Sequence, residues 1–314
     1  MTPELSLISV IIPSWERRSD ILLTLANLRK QTYLRREIIV VDQASADGGP
    51  QEIEKQFPEV KLVRLPKNVG PGAARNTGAE KAAGEILVFI DNDDDLDERA
   101  LERVVERFRE DTGLGIAGFK ILNFYTRELE PMSWSYQKNR LKDSDSEFET
   151  YIFCGGGYAM PKTVFEKGAR YWEEIFWLSE EKELGLRVVK MGYKIIYCPS
   201  VKVYHRASPE KRHLSGKRNF LGFRNFLWIT WKYYPFWAAV KTTFLSAGAY
   251  GVKGIRNGYA FWILLGFISS FKRLNILFTT KDRLGREAWA RYKRLSDKGP
   301  WWAVTQKLFT ERSA

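Results

Sequence analysis

The run Glu85 to Ile90 (EILVFI) passes directly into Asp91-Asn92-Asp93-Asp94-Asp95, and no other junction constrains the fold as tightly. A short run of branched and aromatic side chains without alternation marks a strand buried on both faces. Such strands belong to parallel sheets covered by helices. Leu7 to Ile12 (LISVII) reads the same way, while Glu37 to Val41 (EIIVV) is expected as a second strand and Val60 to Val63 (VKLV) as a third. Between the strands, Asp20 can cap a helix with Ile21, Leu22, Leu25 and Leu28 on one side. Gly72 to Ala83 is small and helix-prone, closed by Gly84, and Asp97 starts a helix with Leu101, Val104, Val105 and Phe108 at helical spacing. Strands and helices alternating over short connections predict an α/β domain with a mainly parallel sheet. Residues 126–150, charged and containing Pro131, read as an irregular excursion.

Ligands of such sheets sit at the carboxyl ends of the strands. The first strand ends in Pro13-Ser14-Trp15-Glu16, the second in Asp42-Gln43-Ala44-Ser45, the fourth in the acidic run. Four aspartates within five residues repel one another unless a cation binds. One reading is a metal bridging carboxylates to a diphosphate, since Mg2+ takes one or two carboxylates plus phosphate oxygens. A solvated acidic turn before the next helix is the other. A second cluster, Ser179-Glu180-Glu181-Lys182-Glu183, suits an ordinary helix start, with Ser179 as N-cap and acids facing the helix dipole. That helix continues through Leu186 and Val189 to Gly192, and His205 ends the strand-like VKVY.

Charge divides the chain. Residues 206–314 hold 21 Lys and Arg against 5 Asp and Glu, a net of +16, leaving the first 205 residues at −4. Seven of the eleven tryptophans (Trp228, Trp231, Trp237, Trp262, Trp289, Trp301, Trp302) also fall in this tail. Basic and aromatic together suit nucleic acid or an anionic membrane surface. The body's negative charge opposes phosphate and the aspartate cluster has no use there, so no nucleic-acid partner is expected. Lys217, Arg218, Arg224, Asn225 and Lys232 fall within about a 120° arc of one helix. Phe220, Phe223, Phe226, Leu227 and Trp231 lie outside it, as in an interfacial helix. The longest uncharged run, Asn257 to Phe271, has fifteen residues, short of the roughly 20 that span a bilayer. The competing reading of the tail is a helical subdomain with those aromatics as its own core. Two cysteines, Cys154 and Cys198, make neither a disulfide scaffold nor a four-ligand zinc site by themselves. No signal peptide precedes the first strand-like run, so a cytoplasmic protein, peripheral on the inner face of the cell membrane, is expected.

In order and spacing, these landmarks resemble the family 2 glycosyltransferases of the GT-A fold. The matching pieces are SVIIPSWERR (Ser9 to Arg18), EIIVVDQASADGG (Glu37 to Gly49) and NVGPGAARNTGAEKAAGEILVFIDNDDD (Asn68 to Asp95). CGGGYAMPKTVFEK (Cys154 to Lys167) and LSEEKELGLRVVKMGYKIIYCPSVKVYH (Leu178 to His205) complete the set. The resemblance implies a GT-A catalytic domain over 1–205 and, after it, a basic, aromatic-rich helical region over 206–314.

It also implies roles. Asp91 and Asp93 correspond to the DxD pair that holds Mg2+ or Mn2+, Asp93 the more directly, with His205 as a third metal- or diphosphate-proximal group. Trp15 corresponds to the residue stacked on the donor base, flanked by Pro13, while Asp42 and Gln43 form the base-binding strand end. Arg75 would approach the donor diphosphate, and Glu16, Asn92 and Gly155 complete the donor pocket. Glu181 matches the second acid of the family's "ED" pair, the catalytic base. Two positions depart from the pattern: Gln43 stands where many members carry aspartate, and Glu181 replaces the commoner aspartate. With no QxxRW run, one sugar per acceptor visit is expected. The implied activity is inverting transfer from a nucleotide sugar to a hydroxyl of a lipid-linked or membrane-borne glycan. A polyprenyl-phosphate acceptor, whose phosphate needs no base, is the alternative.

Overall fold

The computed structural model describes residues 6–206, 215–273, 275–276 and 281–296; Trp301 and Trp302 lie outside them. The chain forms two compact units. One comprises residues 1–176 and 193–209, the other residues 177–192 and 210–314. Residues 177–192, which the sequence reading kept with the first domain, thus group with the C-terminal helices.

The first unit is built on one nine-stranded sheet. Its strands are β1 (Ile8–Ser14), β2 (Arg36–Asp42), β3 (Lys61–Arg64), β4 (Ile86–Ile90), β5 (Asp94–Leu96), β6 (Leu114–Asn123), β7 (Phe148–Thr150), β8 (Gly157–Pro161) and β9 (Lys194–His205). They lie in the order β3-β2-β1-β4-β8-β6-β9-β5, with β7 also paired to β9. The first four are mutually parallel, β8 is antiparallel to β4 and β6, and β9 runs parallel to β6. β1 and β4 are buried along their whole length, as their unbroken apolar runs require. The helices are α1 (Arg18–Leu28), α2 (Gly49–Gln56), α3 (Pro71–Lys81), α4 (Ala100–Glu110) and the short α5 (Arg140–Asp143) and α6 (Lys162–Glu166).

The small residues of α3 have a packing cause. A Cβ at Gly78 would lie 2.4 Å from Ile11 Cγ2 and 3.1 Å from Val41 Cγ2, so only glycine lets this helix sit on β1 and β2. Three expectations change. Asp20, expected to cap the first helix, lies within the first turn of α1, which starts at Arg18 and has no side-chain cap. The helix expected from Asp97 starts at Ala100, because Asp94–Leu96 is drawn into antiparallel pairing with β9. The excursion 126–150 is partly regular: it contains α5 and β7, and the rings of Trp134, Tyr136 and Phe148 pack against one another and against Tyr197.

The second unit contains α7 (Glu180–Lys190), α8 (Ser215–Tyr233), α9 (Phe236–Arg256), α10 (Ala260–Ser270) and α11 (Arg286–Leu295). Phe223, Phe226, Leu227 and Ile263 form its core, with Tyr250 and Phe267 against them. Ser179 precedes α7 with φ 70° and makes no side-chain cap, contrary to the capping expected of it. Asn225 is fully buried and donates its amide to the carbonyls of Trp177 and Leu178, holding the start of α7 against α8. Glu183, also fully buried, accepts from Arg187 (2.6 Å), Lys232 (3.1 Å) and Tyr233 Oη (2.6 Å). The expected cationic arc on α8 is therefore not one exposed face. Lys217 and Arg218 are exposed, but Arg224 lies over the Trp228 ring and Lys232 serves Glu183. Among the described residues no helix is long and apolar enough to cross a membrane.

Candidate active site

The acidic turn after β4 is a hydrogen-bonded knot. The Asp91 N–H donates to Asp94 Oδ2 (3.0 Å), and the Asp94 N–H donates back to the Asp91 carbonyl (3.3 Å). The chain then enters β5, whose register sets Asp94 opposite His205 on β9. The Arg206 N–H reaches the Asp93 carbonyl (2.9 Å), fixing the other side of the turn. From below, the buried Thr24 hydroxyl donates to the carbonyls of Asn92 (3.0 Å) and Asp94 (3.1 Å). Arg206 in turn bonds Asp95, Thr24 Oγ1 (2.5 Å) and the Asp20 carbonyl (3.1 Å), so α1 and the end of β9 share one anchor.

This scaffold brings one ligand atom each from Asp93, Asp94 and His205 within 4.8 Å of one another. Asp94 Oδ1 and His205 Nδ1 are buried and have no hydrogen-bond partner in the protein. Burial, then the charges of Asp91 and Asp93, push the Asp94 carboxyl well above the usual carboxylate range. Burial alone would lower His205, but the Asp93 hydrogen bond and the three neighbouring carboxylates outweigh it and raise it to about 9. Asp93 is also desolvated, yet the His205 bond and the charges of His205 and Arg17 hold it low. Once deprotonated, two carboxylates and an imidazole are a donor set for a divalent cation that leaves positions for phosphate oxygens. Space is kept beside them, since a Cβ on Gly156 would stand 3.4 Å from Asp94 Oδ2 and 3.7 Å from Asp91 Oδ2. The group fits.

The grouping differs from the expected Asp91, Asp93 and His205. Asp91 is engaged by Arg75, whose Nη2 donates to Asp91 Oδ1 (2.5 Å) and to the Gly155 carbonyl (2.8 Å). Arg75 is only 2% exposed and ties the acidic turn to the glycine loop. Asp94 is not among the expected ligands because β5, which sets it opposite His205, is three residues long and has no sequence pattern of its own. Arg17 was missed too; it bonds Asp93 Oδ2 at 2.7 Å, and its place two residues after Trp15 was the available signal.

The residues expected to bind the donor base gather at the neighbouring ends of β1 and β2, where Pro13 pairs with Val41 and Ser14 with Asp42. Both exits bend through left-handed backbone at non-glycine residues, Glu16 (φ 50°) and Ala44 (φ 60°), a conformation that persists only when its surroundings hold it. Here they do. The Glu16 N–H donates to Ser45 Oγ, the Ala46 N–H to Glu16 Oε1, and the Ser45 N–H to Asp42 Oδ2. Gln43 is buried and accepts from the Val69 N–H, so its amide oxygen is spent on the loop before α3. Asn92 is buried and donates to Ser14 Oγ, joining this strand end to the acidic turn. Trp15 is 42% exposed. Glu181 belongs to the second unit, half-buried in the first turn of α7.

Polypeptide N-acetylgalactosaminyltransferase 3 of Mus musculus is 29% identical to this chain over 220 residues, 61% of the chain and 35% of that protein. A putative teichuronic acid biosynthesis glycosyltransferase, TuaG of Bacillus subtilis, is 36% identical over 109 residues, 34% of this chain and 43% of that one. The chain thus spans well under two thirds of either relative. The crystal structure of GalNAc-T7 with UDP, GalNAc and Mn2+ shares the fold, with a TM-score of 0.61 at 16% identity, covering 90% of this chain and 59% of that one. The sequence model of Glycosyl transferase family 2 matches residues 9–168, from β1 through α6 and across both sets of strand ends, and the chain belongs to that family.

Proposed function

We propose that this protein transfers a sugar from a nucleotide-sugar donor to a hydroxyl of a lipid-linked or membrane-borne glycan, with inversion and with a divalent cation. The observation that carries the reading is the junction of Asp93, Asp94 and His205, with two buried ligand atoms unspent, next to the β1–β2 strand ends. Asp93, Asp94 and His205 would hold Mg2+ or Mn2+, which when bound supplies charge against the leaving diphosphate. The exposed Trp15 ring receives the base, with Pro13 and Glu16 shaping the exit and Asp42 and Gln43 bracing it. Arg75 keeps Asp91 and Gly155 in register behind the diphosphate. Glu181 takes the proton from the acceptor hydroxyl, which is otherwise a weak nucleophile. The similarity to TuaG, named for teichuronic acid biosynthesis, supports a polysaccharide product.

The membrane part rests on α9 and α10. Trp237 (78% exposed), Phe244 (76%), Ile255 (75%) and Phe261 (65%) stand in solvent, with Leu245, Val252, Leu264 and Ile268 among them. From Phe236 to Arg273 the chain carries Lys241, Lys253, Arg256, Lys272 and Arg273 and no acid. Apolar side chains among cations suit an anionic leaflet, and this supports a peripheral position on the inner face of the cell membrane.

Donor hydrolysis against a nucleotide-sugar panel tests the reading. Turnover should vanish with EDTA, return with Mn2+ or Mg2+, and be nearly lost in Asp93→Ala; full turnover in chelator overturns the metal role. Transfer by Glu181→Gln should fall by about 10²-fold or more, with donor affinity unchanged. Undiminished transfer by that variant favours the phosphate-acceptor alternative.

A further inference from the structure

We infer that Arg17 makes the binding of the divalent cation and of the donor diphosphate depend on each other, an inference that rests on the metal reading of Asp93, Asp94 and His205. Arg17 Nη1 lies 2.7 Å from Asp93 Oδ2 and 3.2 Å from Asp20 Oδ2. The same Asp93 oxygen faces His205 Nε2 at 3.6 Å. A guanidinium does not lose its charge in a protein. Arg17 and a divalent cation therefore compete for one carboxylate oxygen, and each repels the other there.

Arg17 has little freedom to step aside. Its side chain is 16% exposed, and Asp20, at the start of α1, holds the same nitrogen. Leaving Asp93 without a replacement anion would strand a charge in a desolvated place. A diphosphate would supply that anion where it is needed, because it would share the cation that Asp93 and Asp94 would hold. Guanidinium forks bind phosphate oxygens well. Arg17 then passes from the Asp93 carboxylate to a phosphate oxygen, still tethered by Asp20, and frees Asp93 for the metal. Cation alone binds weakly, and cation with diphosphate binds tightly. By linkage, each raises the affinity of the other by the same factor.

The test titrates Mn2+ into the full-length protein, with free Mn2+ read by electron paramagnetic resonance, in the absence and presence of UDP or GDP. In Arg17→Met, Mn2+ alone should bind at least about tenfold more tightly. The factor by which the nucleotide strengthens Mn2+ binding should fall at least about tenfold. Arg17→Lys, which keeps the charge, should retain the weak binding of Mn2+ alone. Thermal unfolding of each variant checks that the fold is intact. If Mn2+ alone binds Arg17→Met no more tightly than the parent and the nucleotide factor is unchanged, the inference is overturned while the metal site stands. If neither protein binds Mn2+ even with nucleotide, the metal reading fails and takes this inference with it.

Discussion

Asp91 and Asp94 sit three positions apart and meet opposite partners. Asp91 faces Arg75, while one oxygen of Asp94 faces no protein donor. Asp94→Asn should therefore weaken Mn2+ binding by about tenfold or more, the scale on which disturbed metal sites respond. Asp91→Asn should change Mn2+ affinity only a few-fold, but it leaves the buried Arg75 charge without its carboxylate. A loss of about 2 kcal/mol is expected, between the values for exposed and buried ion pairs. Mn2+ titration and urea unfolding of the two variants separate these outcomes; the reverse ranking would return the metal to Asp91. The sequence made the residue types legible at this turn. It did not make the pairing legible, because which carboxylate meets His205 is decided by a register between Asp94 and a strand end far along the chain. Gln43 shows the same limit: its amide is visible in sequence, its bond to the Val69 N–H is not.

Helices were harder to read than strands. β1, β2 and β4 announced themselves, since a two-sided burial leaves an apolar run that nothing else explains. In α8 a cationic arc could be drawn, yet half of it is spent inside the second unit on Glu183 and on the Trp228 ring. Helical spacing reports which residues share a face; it does not say whether another helix covers that face. The exposed apolar side chains are instead on α9 and α10. Replacing Trp237, Phe244, Ile255 and Phe261 together by serine should lower binding to anionic liposomes by tenfold or more, at roughly 1.4 kcal/mol per decade. Reversing charge at Lys217 and Arg218 should weaken binding mainly at low salt, since exposed cations act through a screened field. Cosedimentation over a salt series measures both. Full-length protein that ignores anionic liposomes would leave α9 and α10 without this role.

At the scale of the whole molecule, the units are not consecutive stretches: the chain passes between them three times, at 176/177, 192/193 and 209/210. A chain ended after Arg206 retains α7 but loses Asn225, Lys232 and Tyr233, which hold its start and its buried Glu183. Stripping a buried carboxylate of its donors is costly. Such a chain should melt several degrees below the full protein, or fail to remain soluble; equal melting in differential scanning fluorimetry would show that α7 stands without α8. The interleaving also bears on how such a protein changes through descent. One crossover can exchange the tail after 209 for a foreign one, but it strands α7 beside helices that never co-evolved with it. Exchanging the helical unit intact takes two further crossovers, around 177–192, and the inserted piece carries Glu181 with it. A lineage acquiring new helices in working order therefore acquires a new proposed base in the same event, while the donor-side residues stay as they were.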